Sequence, residues 1–446
     1  MKPLTSAGPQ AGVRPGLVLF SFGFRPFFLF GSLYAALLMG LWLPWLRGFL
    51  DVPTSVSPVA WHAHELLFGY VAAAITGFLL TAIPGWTRRP PISGWLLLAL
   101  FGLWVAGRLA VNLSSVTGYV PAAGLSTAFL VAVTALAGRE IVAGGNWRNL
   151  KVVGLLAAFA ASHAVYSWAI WHGGDPAFGA RMAIAAVLLL LTLVAGRIVP
   201  AFTANWLKAR GETVMPEPHA RYDSVAVGIG ALGLALWVVD GWIVPAGIVG
   251  TILLGAAGLH LVRQLRWRPH RTLADPLVAV LHGAYLFVPV GFALAGLALI
   301  AGAEDVHRAA VHAWTVGAFG TMTLAMMTRA GLGHTGRPLR ATPATVIIYL
   351  SVLSAAATRI AASLFPAWSP LLSSAAAVAW IAAFVGYAVA YGPMLLAPRR
   401  AAEQVSGPPS GAAVRPPGRS GRRAYGWAAC CRTGRVHATD RFLHPL

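Results

Sequence analysis

Residues 62–83 read HAHELLFGYVAAAITGFLLTAI, and this stretch decides the fold. His62, His64 and Glu65 open it, and no charged residue follows from Leu66 to Ile83. A helix of about 20 such residues rises 1.5 Å per residue and reaches across a hydrocarbon core roughly 30 Å thick. It offers no polar face to water, so lipid and neighbouring helices must cover it. Working outward, segments of the same kind recur at 27–46, 94–112, 119–139, 152–172, 180–200, 224–240, 242–262, 276–301, 308–328, 343–364 and 371–396. With 62–83 these make about twelve transmembrane helices, the two at 224–240 and 242–262 being separated only around Asp240 and Gly241. The longest internal loop, near 203–222, leaves no room for a globular domain.

Composition agrees. Hydrophobic residues make up 58 % of the 446 residues, charged residues only 10 %, and mean hydropathy is +0.71. A soluble domain carries roughly a quarter charged residues; too few are present here to coat a water-facing surface. The net charge of +20 would suggest nucleic acid in a soluble protein, but its placement points elsewhere. With the N-terminus on the cytoplasmic side, most of the 33 Lys and Arg gather in cytoplasmic loops, while Asp51, Asp175, Asp240, Glu304 and Asp305 fall in the opposite loops. This is the positive-inside pattern, and it needs an even number of spans. The expectation is an all-α polytopic helical bundle with both termini cytoplasmic, no nucleic-acid partner, and the lipid bilayer as its solvent. The N-terminus lacks a small-residue cleavage site after a short apolar core and does not read as a cleavable signal. Residues 1–396 form the transmembrane domain. Residues 397–446, rich in Pro, Gly, Ser and Arg, read as a disordered basic tail, with attraction to anionic lipid as its one physical opportunity.

Cys430 and Cys431 are the only cysteines, so any metal within the bilayer must use His, Met, carboxylate or backbone groups. Thirteen His are present. Ionisable groups inside a membrane are costly and mark function by default. His62, His64 and Glu65 open the second span, with His172, His307 and His312 at the same level. On a regular helix His62 and Glu65 share a face, while His64 points about 200° away from His62. The motif can serve two sites, or one ligand and an orienting partner, or it is an interfacial polar cluster. Glu65 is suited to accepting the second ring N–H of a ligating His. His163 sits in mid-span as a satisfied core His, an axial haem ligand or a copper ligand, since neutral imidazole suits both metals.

Toward the other side lie His282, His260 and His334; His334 is in a turn-rich stretch from Gly331 to Pro338 that also suits loop capping. His282 and His312 lie on antiparallel spans at depths differing by on the order of 20 Å, so they cannot both bind one copper ion; two separate sites, or one extended haem site plus one metal, fit better. Met322, Met326 and Met327 are soft thioethers able to bind Cu(I), but methionine at helical spacing is more often core packing. Arg108, Arg197 and Arg359 can clamp carboxylates such as haem propionates, or snorkel from span ends. The 49 Gly allow close helix approach. No phosphate-binding Gly loop, HExxH motif or Ser/His/Asp set is found. A faint echo links 62–90 with 312–338, each opening on His and ending in Arg-Pro.

Several blocks together resemble one family. They are Arg25-Pro26-Phe27-Phe28; Trp61-His62-Ala63-His64-Glu65 with Gly77-Phe78-Leu79-Leu80-Thr81-Ala82 and Trp86-Thr87; Gly107-Arg108; Gly196-Arg197 with Pro200 and Phe202-Thr203; His282; and His312 through Gly317, Gly320 and Met326-Met327-Thr328-Arg329 to Gly333-His334-Thr335-Gly336-Arg337-Pro338. The chain resembles the NnrS family of membrane proteins over roughly residues 20–396; the tail after Arg400 departs from that pattern. The resemblance implies twelve spans, haem and copper as cofactors, and a link to nitric oxide metabolism and nitrosative stress in denitrifying bacteria. It does not assign ligands. The candidates for cofactor binding are His62, His64, His163, His282, His312, His334, Arg108 and Arg197, and for metal His62, His64, Glu65 and His312.

The expected function is thus a multi-pass protein of the bacterial inner membrane that binds haem and copper, takes nitric oxide as a ligand and protects against it or metabolises it, with a respiratory electron donor if it turns over. Glu65 is the only carboxylate near a span start with His neighbours, so no carboxylate relay for protons is legible and enzymatic turnover stays open. The competing expectations are a transporter of a metal ion or small anion, and a non-catalytic partner of a respiratory enzyme.

Overall fold

A computed structural model describes residues 18–239 and 243–400. The junction at Asp240 and Gly241, Cys430 and Cys431, and the proposed tail beyond Arg400 lie outside the described residues. In lipid a chain can satisfy its backbone N–H and C=O groups only internally. The long apolar runs accordingly become helices, and no strand occurs among the described residues.

The helices are α1 (Phe24–Leu46), α2 (Pro58–Thr87), α3 (Gly94–Asn112), α4 (Tyr119–Ala143), α5 (Leu150–Trp171), α6 (Ala177–Ala209), α7 (Arg221–Val238), α8 (Ala246–Leu265), α9 (Pro276–Ala301), α10 (304–334), α11 (Pro343–Leu364) and α12 (Ser369–Leu396). Eleven of them are long and apolar enough to cross a membrane. The exception is α10, which runs through three consecutive pieces, Glu304–His312, Ala313–Gly320 and Thr321–His334. Glu304, Asp305 and Arg308 make its first piece polar, which is why the apolar run read from sequence began only at 308. At helical rise its full length is on the order of 40 Å, enough to cross as well.

The ends follow ordinary capping chemistry. Pro58, Pro276 and Pro343 occupy the first turns of α2, α9 and α11, where the missing N–H costs nothing. The Asp275 carboxylate accepts the Leu277 N–H at 2.9 Å, and the Thr342 hydroxyl accepts that of Thr345 at 3.2 Å. Gly302 ends α9 with φ of +62°, a left-handed turn open to glycine without strain.

Packing is mostly between helices consecutive in sequence, and α12 closes the arrangement against α1. The most apolar stretch of α2 is 78 % buried, against 33 % for those of α3, α4, α7, α11 and α12, so α2 stands inside the bundle. Between α8 and α9 the backbones touch: a Cβ on Gly296 would lie 2.6 Å from the Gly250 carbonyl oxygen. Small residues permit such an approach where no hydrophobic effect drives helices together.

Two helices are irregular in the same way. In α2 a π-helical segment, Glu65–Val71, follows His64; in α10 another, Ala313–Gly320, follows His312. π turns are rare and concentrate at functional sites. Their distorted ladder needs outside partners, and Trp104 Nε1 donates to the Gly69 carbonyl at 3.0 Å. The hydroxyls of Tyr70 and Thr323 join the two helices at 2.5 Å. The faint sequence echo between 62–90 and 312–338 thus corresponds to a shared local structure.

Candidate metal and cofactor sites

The first site is built on Glu65, wholly buried at the start of the α2 π segment. A carboxylate at zero exposure must be fully partnered, and three groups converge on it. Arg108 Nη1 from α3 donates to Oε1 at 2.8 Å and to Oε2 at 2.9 Å, and its Nη2 donates to Ser126 Oγ at 2.7 Å. Tyr34 from α1 donates to Oε2, and His64 Nδ1 lies 2.7 Å from Oε1. Gly69 makes room: a Cβ there would come 3.0 Å from Arg108 Nη1 and 3.1 Å from Glu65 Oε2.

The hydrogens in this network follow from groups that can act only one way. An indole N–H only donates, and Trp61 Nε1 reaches Asn112 Oδ1 at 3.2 Å, which orients the amide. Asn112 Nδ2 then donates to the Tyr34 oxygen at 2.9 Å and to the Arg108 carbonyl at 2.7 Å. Tyr34 is left to donate its hydrogen to Glu65. With Arg108 and Tyr34 both donating, Glu65 is an acceptor throughout, and His64 carries its proton on Nδ1. On the far side of the ring, His64 Nε2 faces His163 Nε2 of α5 at 3.0 Å. His163 Nδ1 in turn lies 2.9 Å from Thr127 Oγ1 of α4. His64 is 1 % exposed and His163 wholly buried; the faces of Phe68 and Tyr166 enclose the pair.

His62 and His312 stand apart from this. His62 stacks on Trp42 with ring centroids 3.9 Å apart, and its Nδ1 is sealed from solvent without a partner. His312 Nδ1 donates to the Arg308 carbonyl at 2.7 Å. His312 lies within electrostatic reach of His62, Arg308 and Arg359, and Arg359 within reach of His62 and Arg308 as well. Arg359 also donates to Ser363 Oγ at 3.2 Å. The Trp61-to-Glu65 motif therefore serves two places, His64 and Glu65 facing one and His62 the other. Glu65 orients its neighbour His64 and not His62, with which a regular helix would pair it.

The remaining candidates are separate. His282 Nε2 lies 2.9 Å from the Thr203 hydroxyl, and its Nδ1 is buried without a partner. The His334 ring lies against Phe22 and Phe24, and Arg197 donates to Asn149 Oδ1 at 2.7 Å. Among the described residues no three His, Cys, Asp or Glu side chains gather as a group able to hold a metal ion.

A second buried charge network was not legible. Arg263 of α8 donates to Asp223 of α7 at 3.0 Å, to the Tyr285 hydroxyl of α9 at 2.9 Å and to the Thr192 carbonyl of α6 at 3.1 Å. His260 Nδ1 meets the same hydroxyl at 2.8 Å. Asp223 and Arg263 are each 2 % exposed, yet both fell just beyond the apolar runs at 224–240 and 242–262, so that Arg263 counted as a loop charge. Only their opposite signs at the facing ends of two adjacent spans hinted at a pair.

Between α2, α6 and α10 lies a small, partly open apolar cavity of about 80 Å³. Val71, Ala74, Phe78, Phe319 and Ile198 are among its walls, and Met322, Met326 and Met327 are its soft donors; no imidazole lines it. Both π segments end at its wall, in Val71 and in Phe319 and its neighbour Gly320.

A polytopic helical bundle that keeps paired imidazoles, an ion-paired carboxylate and a thioether-lined cavity among its spans belongs to the class of membrane proteins with a polar site inside the bilayer. The chain belongs to the NnrS family, whose sequence profile, described as NnrS protein, matches residues 18–399. Membership makes it a nitric oxide-related membrane protein. No curated protein matches the chain.

Proposed function

We propose that the protein binds copper and haem within the bacterial inner membrane, both termini cytoplasmic, and acts in nitric oxide metabolism or protection against nitrosative stress. The observation that carries this reading is the His64–His163 pair. Two imidazole Nε2 atoms face each other inside the bundle, one ring being held by a carboxylate that is itself ion-paired. Imidazole suits copper, and a ligating His commonly gives its second N–H to a carboxylate.

The cavity between α2, α6 and α10 has apolar walls suited to a macrocycle, but its volume is well below the roughly 300–1,000 Å³ of ligand pockets, so a haem there requires the helices to part. Its donors Met322, Met326 and Met327 are of the thioether type that ligates haem in some cytochromes. His282 and His334 do not line that cavity, and Arg108 is committed to Glu65 and Ser126. Bound haem iron and copper would supply centres at which nitric oxide binds. The protein's own part is to keep Glu65, Arg108 and Tyr34 mutually satisfied, so that His64 is presented in one tautomer.

The test is a visible spectrum and copper analysis of the full chain purified from membranes. A Soret band that shifts on adding nitric oxide, with copper bound, is expected. Colourless, copper-free protein from cells supplied with both would overturn the reading. Steady nitric oxide consumption with an electron donor would distinguish turnover from binding. One observation favours a second reading, a transporter: two spans, α2 and α10, are interrupted alike, and interrupted helices build transport sites. Colourless protein that moves copper ions into vesicles would establish it.

A further inference from the structure

We infer that His64 and His163 form a two-imidazole site for a single soft monovalent cation, Cu(I), and that Thr127 positions it by setting the tautomer of His163. The inference rests on the proposed copper binding and deepens it.

The argument is one of hydrogens. His64 has its proton on Nδ1, facing Glu65 Oε1, so its Nε2 presents a lone pair. Thr127 Oγ1 lies 2.9 Å from the Ala123 carbonyl oxygen one turn back. Thr76, Thr81 and Thr134 make the same bond to Ala72, Gly77 and Leu130, the usual arrangement for a helical threonine. A hydroxyl has one hydrogen. Once Thr127 gives it to Ala123, its oxygen can only accept from His163, and His163 Nδ1 carries the proton. Both Nε2 atoms are then bare, 3.0 Å apart, in a pocket walled by aromatic rings. Two facing lone pairs repel, and a cation relieves this once the rings part far enough for two metal–imidazole bonds of about 2 Å each.

The surroundings choose the kind of cation. Glu65 and Arg108 cancel each other's charge, so the ion's own charge is the net charge of the site. The cost of an ion in a low-dielectric interior grows with the square of its charge, which favours a monovalent one. Two imidazoles without a third ligand suit a soft ion of low coordination number and not a hard cation that requires many oxygens. Thr127 is a positioning residue here. It touches no ion and acts through the ring of His163.

A competing arrangement uses the same atoms. If Thr127 turned its hydrogen to His163 Nδ1, then His163 Nε2–H would donate to His64, and the neutral pair would hold no ion. The experiment is an anaerobic Cu(I) titration of the full chain in detergent against a chromophoric competing chelator. The wild type is expected to take up Cu(I), H163Q to lose one equivalent, and T127V to bind about 10–100-fold more weakly, as loss of an orienting partner does. T127S, which keeps the hydroxyl, restores affinity. Equal affinity in T127V and the wild type overturns the role of Thr127. Displacement of Cu(I) by an equal concentration of Zn(II) overturns the monovalent assignment. If H163Q and H64Q both keep every equivalent, the site lies elsewhere and the copper reading stands; wild type that refuses Cu(I) defeats both. Should the His variants not fold, the T127V and T127S pair decides.

Discussion

Gly196 of α6 exists for the sake of Arg263 of α8: a Cβ on Gly196 would lie 1.9 Å from Arg263 Nη2. No methyl group fits there while the guanidinium keeps its place against Asp223. G196A is therefore expected to shift the guanidinium and weaken its bond to Asp223, costing about 1.5–3 kcal/mol. Thermal unfolding in detergent measures it. The loss should overlap that of D223N, so the double variant falls short of the sum of the two singles. A G196A protein as stable as the wild type would mean that the guanidinium has room to spare.

Glu65 and Arg108 set up a second comparison. R108M strands a carboxylate at zero exposure, and E65Q strands a guanidinium at 4 %. Each single change is expected to be strongly destabilising, about 3–5 kcal/mol, and the double variant E65Q/R108M to recover a large part of the loss. The reading is the order of melting temperatures: a double variant less stable than R108M would contradict it.

Arg25 explains why a charged residue opens α1. Its Nη1 donates to the Leu395 carbonyl at 2.6 Å and to that of Ala397 at 2.7 Å, at the end of α12 where carbonyls lack intrahelical partners. Replacing it by Met should cost about 1.5–3 kcal/mol for each bond lost. Faster hydrogen exchange confined to 392–397 is the expected signature. Unchanged exchange there would show that α12 ends unaided.

Filling the cavity tests whether the proposed haem sits there. Ala74 is 4 % exposed and on its wall, so A74F should remove haem absorbance from purified protein while leaving copper content unchanged. Full haem in A74F would place the macrocycle elsewhere. Loss of both would show that the two sites are not independent.

The fold was readable because the apolar runs are long and the loops short. Boundaries were less so. Asp223 and Arg263 pair inside the bundle, yet nothing in their local sequence separates them from snorkelling loop charges. The site at Glu65 was half legible. Its residue types in one pentapeptide announced it, and Glu65 as an orienting partner followed from chemistry. Which His it orients did not, because 100° per residue holds for an α-helix and Glu65 opens a π segment. Thr127 and Tyr34 were invisible, since a hydroxyl in an apolar helix is usually bonded to its own backbone. Only the packing of α1, α4 and α5 around α2 shows otherwise.

Glu65 and Arg108 sit on consecutive spans, and this bears on how the chain enters its membrane. An unpaired arginine within a lone helix opposes insertion, and an acidic residue does likewise. Joined, the two charges cancel before lipid meets either one. The economical route during biosynthesis is for α2 and α3 to leave the translocation machinery together as a hairpin, already paired, so that the ribosome's delivery of residues 58–112 is a single insertion event.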